Sequence, residues 1–432
     1  MLDAERRKEY LAILRAELVP ALGCTEPIAV ALAAAKARET LGQMPDRVEI
    51  SCSGNIVKNV KGVVVPNSGG LKGIEAAALA GIVGGDASRG LEVLEALKPA
   101  ALPEVRKLLE KGICVARLAE GVDSLYIAVK LYGGEESAEA RISGSHARVS
   151  ALYKNGLCVY DADESSEKSE IEHSERDELT VRGILEFADG VELDAIEPIM
   201  AEQIRLNCAI SDEGLTHHYG VDVGATALKN RGDDLRTRAS ARAAAGGDAR
   251  MSGCALPVVI NSGSGNQGIT ASIPVIEYAR GMLLPEEKLY RALAVSNLVS
   301  IHQKRKIGRL SAYCGAVSAA AGSGAAISYL CGGGYREVSA TIVNTIATIG
   351  GMVCDGAKPS CAAKIFQAVD AAILAHDLSA SGKVFAPGEG LVKSDVERTI
   401  ESVCRMGRVG MKKTDEEIIA IMTSPDDPEK GG

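Results

Sequence analysis

The chain has 432 residues and a formal net charge of −9, which argues against a nucleic-acid-binding protein. Aromatic residues make up 3%, Trp is absent and Phe occurs three times, so helices must pack through small Ala and Gly side chains. The length predicts two or three domains rather than one core.

The start, Met1-Leu-Asp-Ala-Glu-Arg-Arg, reads as a charged helix and not as a basic-then-apolar signal segment. The longest apolar stretch, Ala340 to Cys354, carries Thr and Asn and is shorter than a membrane span. A soluble, cytoplasmic protein with no membrane partner is expected. Thiols stay reduced there, so eleven Cys need not mean disulfides.

Residues 3–18 and 27–41 predict helices joined by the turn Ala21 to Pro27. Thr25, Glu26 and Pro27 have the character of a helix start: a cap, a first-turn acid and an early Pro. Cys24 then stands just before a helix N-terminus, where backbone N–H groups and the dipole favour a thiolate. The alternative is a buried Cys in a turn.

Strand signals fill residues 47–160. They are Arg47 to Ser53, Ser124 to Tyr132, Ala138 to Ile142, and Ala147 to Tyr153 leading into a hairpin turn at Asn155-Gly156. Helical stretches are expected at about 72–84, 87–97 and 102–111. Ser53 to Lys61 and Pro66 to Gly73 read as polar loops; a Gly-rich loop opening a helix suits a carboxylate or phosphate, or is an ordinary turn. Residues 161–178 carry nine acids against two bases and read as a solvated linker, with His173 a surface residue within it.

From 179 to 425 the spacing is helical, broken by Gly clusters, with no strand series. Asn261 to Gly268 interrupts it just before a helix expected at 269–279. His217 and His218 lie in a polar loop. His302 to Arg309 runs into Cys314 and would hold an anion, offset thiolate charge, or simply be a solvated helix end. The expected class is α+β: an N-terminal α+β lobe with a small sheet, then a mainly α-helical C-terminal domain. The expected divisions are 1–45 (helices carrying Cys24), 46–178 (α+β lobe ending in the acidic linker) and 179–432 (helical, cluster-binding).

Cys314, Cys354 and Cys361 are the candidate residues for metal chemistry, with packing as the alternative. The last two are seven positions apart across Gly356 and Pro359, so their loop is able to turn back and aim two sulfurs at one point. Three thiolates on one iron–sulfur cluster would leave one iron without a protein ligand, free to act as a Lewis acid. Buried Cys is also a common small hydrophobe, and Cys52, Cys114, Cys158, Cys208, Cys254, Cys331 and Cys404 are assigned to packing. No C-x-x-C pair exists, which disfavours a zinc ribbon or ferredoxin-type site.

Set in order, Gly23 to Pro27, Ser53 to Lys61, Pro66 to Gly73, Ser262 to Gly268, Ala312 to Gly315 and Cys354 to Cys361 make the chain resemble the iron–sulfur L-cysteine desulfidases, relatives of the iron–sulfur L-serine dehydratases. The resemblance spans nearly the whole chain. It implies a lyase that performs β-elimination on a small amino acid, most simply L-cysteine to pyruvate, ammonia and sulfide in cysteine degradation. It implies a [4Fe–4S] cluster on Cys314, Cys354 and Cys361. Cys24 is the implied base for the α-proton or, alternatively, the fourth cluster ligand. Ser262, Ser264, Gly265, Asn266 and Gln267, together with Lys58, are candidates for the α-carboxylate; Asn55, Lys61 and His302 are further candidates. A homodimer is among the expected assemblies.

Other readings stay open at this point. The substrate is serine or another small amino acid in a serine dehydratase-type deaminase. A pyridoxal-phosphate eliminase shares a Ser-Gly-Asn carboxylate loop, but here it lacks a Schiff-base Lys in context and the βα alternation of its fold. A non-catalytic protein with a redox-sensing cluster would bind iron without turnover.

Overall fold

The computed structural model describes residues 2–162, 179–308 and 310–424. The expected linker from 163 to 178, His173 within it, and Arg309 lie outside the described residues.

Helix Ala4–Glu17 opens with Asp3, whose carboxylate accepts the Arg6 N–H at 2.8 Å. It packs on the C-terminal helices, with the Tyr10 and Phe187 rings 5.7 Å apart. Strand β1 (Pro20–Leu22) then leads into helix Thr25–Leu41, which is Ala-rich and buried almost all round. Such a helix can only sit between layers.

One of those layers is a sheet of β2 (Arg47–Cys52), β3 (Cys114–Leu118), β4 (Tyr126–Gly133), β5 (Glu136–Ser143), β6 (Val149–Lys154) and β7 (Leu157–Asp161). The strand order is β3-β2-β4-β5-β6-β7; β2 and β3 are parallel and every other pair is antiparallel. Alternation decides the faces: Val48, Ile50, Ile127, Val129, Leu131, Ala138, Ala140 and Ile142 point into the core, towards helix Thr25–Leu41. Asn155 and Gly156 both take positive φ, as a two-residue hairpin requires. Helix Ile74–Gly84 covers Thr25–Leu41 from another side.

Two expectations for this lobe need correction. Ser53 to Lys61, read as a loop, contains helix Gly54–Lys61. Its Gly and Asn residues hide a buried stripe, Ile56 and Val60, that lies one turn apart. Residues 87–97 form a 3₁₀ turn, Ala87–Glu92, and then irregular turns, not an α-helix, because the chain breaks at Gly90. Strand β3 was not expected; its sequence does not alternate.

The remainder is helical, as expected. Its one strand among the described residues is β8 (Pro257–Val259), which pairs antiparallel with β1 and ties the N-terminal segment to this part. Helix Gly315–Leu330 is at the centre, wrapped by Gly265–Gly281, Glu286–Ile307, Tyr335–Ile349 and Cys361–Ala380. Its Ala, Gly and Ser residues are buried on every side, which explains the small-residue bias of the chain. No helix among the described residues is long and apolar enough to cross a membrane.

Candidate active site

The loops before two helices are stitched together by a short antiparallel contact. Tyr313 bridges Val353, the Cys314 N–H donates to Met352 O at 3.0 Å, and the Cys354 N–H donates to Ala312 O at 2.6 Å. Helix Gly315–Leu330 begins directly after Cys314. From Cys354 the chain turns back: Lys358 Nζ donates to the carbonyls of Asp355 and Gly356 at 3.2 Å each, and the Cys361 N–H donates to Lys358 O at 2.9 Å. Cys361 opens helix Cys361–Ala380. Forty positions of sequence separation between Cys314 and Cys354 are therefore closed by backbone hydrogen bonds.

The same pocket receives two further helix starts. Cys24 immediately precedes Thr25–Leu41, and Ser264 immediately precedes Gly265–Gly281. The two turns touch, since Thr25 Oγ1 donates to Gly263 O at 2.8 Å. Cys24, Ser264, Asn266, Gln267, Cys314, Cys354 and Cys361 thus line one cavity of about 100 Å³. Four helix N-termini converge on it, an arrangement that favours anions and thiolates. A larger cavity of about 460 Å³, between Tyr335–Ile349 and residues 382–396, is lined by none of the cysteines.

The cysteines differ in their protons. Burial pushes Cys314 up to about 12, and the neighbouring Cys354 and Cys361 add to the rise, against the Ala316 N–H. Burial also raises Cys361. Three thiolates here would repel one another unless a positive group lay between them. Among the described residues no three His, Cys, Asp or Glu side chains close round a position for one metal ion. A mononuclear centre needs all its sulfurs about 2.3 Å from a single point. A multi-iron cluster offers a separate iron to each thiolate, so three sulfurs spread around one cavity fit it better than they fit a single ion.

Cys24 is fully enclosed, and burial first, then the negative charge of Glu26, hold its thiol well above the usual range; Arg250 pulls the other way. The helix dipole expected to favour a thiolate is outweighed by burial. Cys24 Sγ donates to Glu26 Oε2 at 3.0 Å, so the thiol keeps its proton and has an acceptor for it. Burial alone would raise Glu26, but His146, with Nε2 3.7 Å away, and the bond from Cys24 keep it down at about 2. Thr25 Oγ1 and Asn59 Nδ2 donate to the same carboxylate at 3.1 and 3.0 Å.

The other expected residues are placed as follows. Ser262 is buried, with Oγ donating to Asn261 Oδ1 at 2.9 Å, and it shapes the loop. Gly265 faces Arg250, whose guanidinium occupies the space a Cβ there would need. Lys58 is buried beneath the cavity: Nζ is 2.5 Å from Asp415 Oδ1 and reaches the carbonyls of Ser311 and Cys354 at 3.5 and 3.4 Å. Asn55 Nδ2 donates to Asp415 Oδ2 at 2.9 Å. Lys61 Nζ donates to Met422 O. Asn55 and Lys58 thus clamp helix Lys412–Thr423 to the Cys354 loop. His302 is buried with Nε2 2.7 Å from Glu397 Oε2 and does not line the cavity.

Residues 89–420 match the sequence pattern of the serine dehydratase alpha chain. The chain belongs to the serine dehydratase alpha chain family. It is 50% identical over 416 residues to the UPF0597 protein of Lachnoclostridium phytofermentans, covering 96% of this chain and 99% of that one. A UPF0597 protein of Desulfitobacterium hafniense is 49% identical over 418 residues, 96% of each chain. A third, from Bacteroides fragilis, is 40% identical over 429 residues, 98% of this chain and 99% of its own. Membership makes the chain a dehydratase-type, lyase-like protein in a family of iron–sulfur character.

Glu26 and Arg250, which line the cavity, and His146, which stands behind Glu26, escaped the sequence reading. Glu26 was taken for a first-turn acid alone. His146, 2% exposed and with neither ring nitrogen hydrogen-bonded, gave no signal in its loop. Asp248 and Arg250 were the available clue: one charge inside the Ala/Gly run 243–249 and one directly after it stand on a helix of small residues that packs closely and leaves charges little solvent.

Proposed function

We propose that this protein is an iron–sulfur β-eliminase acting on L-cysteine in the cytoplasm, giving sulfide, ammonia and pyruvate. The observation that carries the reading is the meeting of Cys24, Cys314, Cys354 and Cys361 with the Ser264–Gln267 helix start in one cavity. Cys314, Cys354 and Cys361 would hold a [4Fe–4S] cluster. Such a cluster, when bound, supplies Lewis-acid assistance to the leaving sulfur.

The chain's own residues bind, orient and move a proton. The N–H groups at the start of Gly265–Gly281 attract a carboxylate. Gln267 Oε1 is buried without a partner and is available to an ammonium or hydroxyl donor. Cys24 would take up the α-proton as the thiolate, the form that the positive charge of Arg250 favours, while Glu26, held at about 2, accepts the thiol hydrogen bond and orients it without storing the proton. Loss of the α-proton and of HS⁻ leaves aminoacrylate, which takes up water and releases ammonia to give pyruvate. Cysteine is favoured over serine because a soft thiolate suits iron and leaves more readily than hydroxide.

The test is product analysis on anaerobically purified, iron-loaded protein. L-Cysteine should yield sulfide, ammonia and pyruvate in equal amounts, faster than L-serine yields pyruvate. A clear preference for serine would replace the desulfidase reading by a dehydratase one. No turnover of either, with iron intact, would favour a non-catalytic cluster protein.

A further inference from the structure

Arg250 ends helix Leu235–Met251 and is 2% exposed. Its Nη1 donates to Asn266 Oδ1 at 3.1 Å, and its Nε has no hydrogen-bond partner. Among the described residues no carboxylate pairs with it: Asn266 is neutral, and the neighbouring Cys24 keeps its proton. A buried guanidinium without a counter-charge is costly, and such groups are paired in folded proteins. Lys58, a buried cation near the site, is already committed to Asp415, and Lys304, which is buried and lines the same cavity, also has a partner. Arg250 also lines the cavity that holds the cysteines.

The surroundings preserve its reach. Gly265 opens the next helix, and any Cβ there would collide with the Arg250 Nε and Cζ. The side chain of Ser264 forms no cap bond, so it does not occupy the first N–H groups of Gly265–Gly281. A planar fork and a helix N-terminus are thus presented to the same small space. That pairing is suited to a carboxylate, which a guanidinium binds through two parallel bonds.

We propose that Arg250 is the receptor for the substrate α-carboxylate, and that it restricts the cavity to small amino acids whose carboxylate is free. The assignment rests on the elimination reading for the word substrate. The missing anion of Arg250 is an observation independent of any turnover. Arg250 is a binding and positioning residue; it supplies the charge that Lys58 was expected to supply.

The test uses full-length, anaerobically purified protein and L-alanine, which has the α-carboxylate and no leaving group. Calorimetry should show L-alanine binding at least about tenfold tighter than L-alaninamide. Arg250→Gln should abolish that preference and weaken L-alanine by about ten- to a hundredfold, with iron content unchanged; Arg250→Lys should recover part of it. Equal affinity of the wild type for the two probes, or unchanged L-alanine binding by Arg250→Gln, would overturn the assignment. Loss of iron in Arg250→Gln would also overturn it and make the residue a charge partner of the cluster. If the wild type binds L-alanine through Arg250 yet turns over neither cysteine nor serine, the elimination reading fails and the carboxylate site stands. If turnover is present and indifferent to Arg250, the reverse holds.

Discussion

Removing Asp415 should be more damaging than removing its partner Lys58. The Lys58 side chain has no solvent exposure, whereas that of Asp415 keeps 13%. Asp415→Ala therefore leaves a buried ammonium with only two carbonyl oxygens at the long limit of hydrogen bonding. Breaking one side of a buried pair in this way costs about 3–5 kcal/mol. Lys58→Met leaves a carboxylate that still accepts from Asn55 at 2.9 Å and reaches water, at a cost of about 1–3 kcal/mol. The double variant Lys58→Met, Asp415→Leu has no stranded charge and should be more stable than Asp415→Ala alone. Urea denaturation followed by circular dichroism, at matched iron content, gives the three midpoints. A double variant less stable than Asp415→Ala, or a Lys58→Met loss exceeding that of Asp415→Ala, would refute the reasoning.

Other outcomes follow from the same geometry. Glu26 is held at about 2 against an ordinary 4.5, so its contribution, about 3 kcal/mol, is complete above pH 4.5 and disappears as pH falls towards 2. Glu26→Gln should therefore lose less stability than wild type between pH 4.5 and 2, read as the shift in acid-unfolding midpoints; parallel curves would contradict this. Cys314→Ala, Cys354→Ala and Cys361→Ala should each remove most of ~4 irons per chain, and full iron in any one would take that residue out of the ligand set. Gly265→Ala should displace the Arg250 guanidinium and raise KM for L-cysteine about tenfold or more while leaving iron in place; an unchanged KM would show that the guanidinium does not act from where it stands.

The parts of this molecule that were legible in its sequence are those with strong local signals. Alternation marked β2, β4, β5 and β6, and Asn155-Gly156 marked the hairpin into β7. Thr25, Glu26 and Pro27 marked a helix start, and with it the position of Cys24. What stayed hidden depends on contacts distant in sequence. Helix Gly54–Lys61 has weak local propensity and is held by the burial of Ile56 and Val60 and by Asp415, which lies 357 positions beyond Lys58. β1 and β8 are three residues each and exist through their mutual pairing. Glu26, His146 and Arg250 stand far apart in the chain, and the folded backbone is what brings them round Cys24. The helix-dipole argument for Cys24 was sound as far as it went, but local geometry says nothing about enclosure, and burial reverses the sign of the effect.

The central claim is that this cavity removes the α-proton of a small amino acid through Cys24, and Cys24→Ser tests it most directly. The substitution keeps the size of the side chain but raises its pKa far above that of a thiol. Wild-type protein with its iron intact should exchange the α-proton of L-cysteine with solvent deuterium as it forms pyruvate. Cys24→Ser should keep its iron and the resting spectrum, still bind L-cysteine, and lose exchange and turnover together by roughly 10²–10⁴-fold. Near-normal exchange and turnover in a Cys24→Ser protein of full iron content would contradict the account.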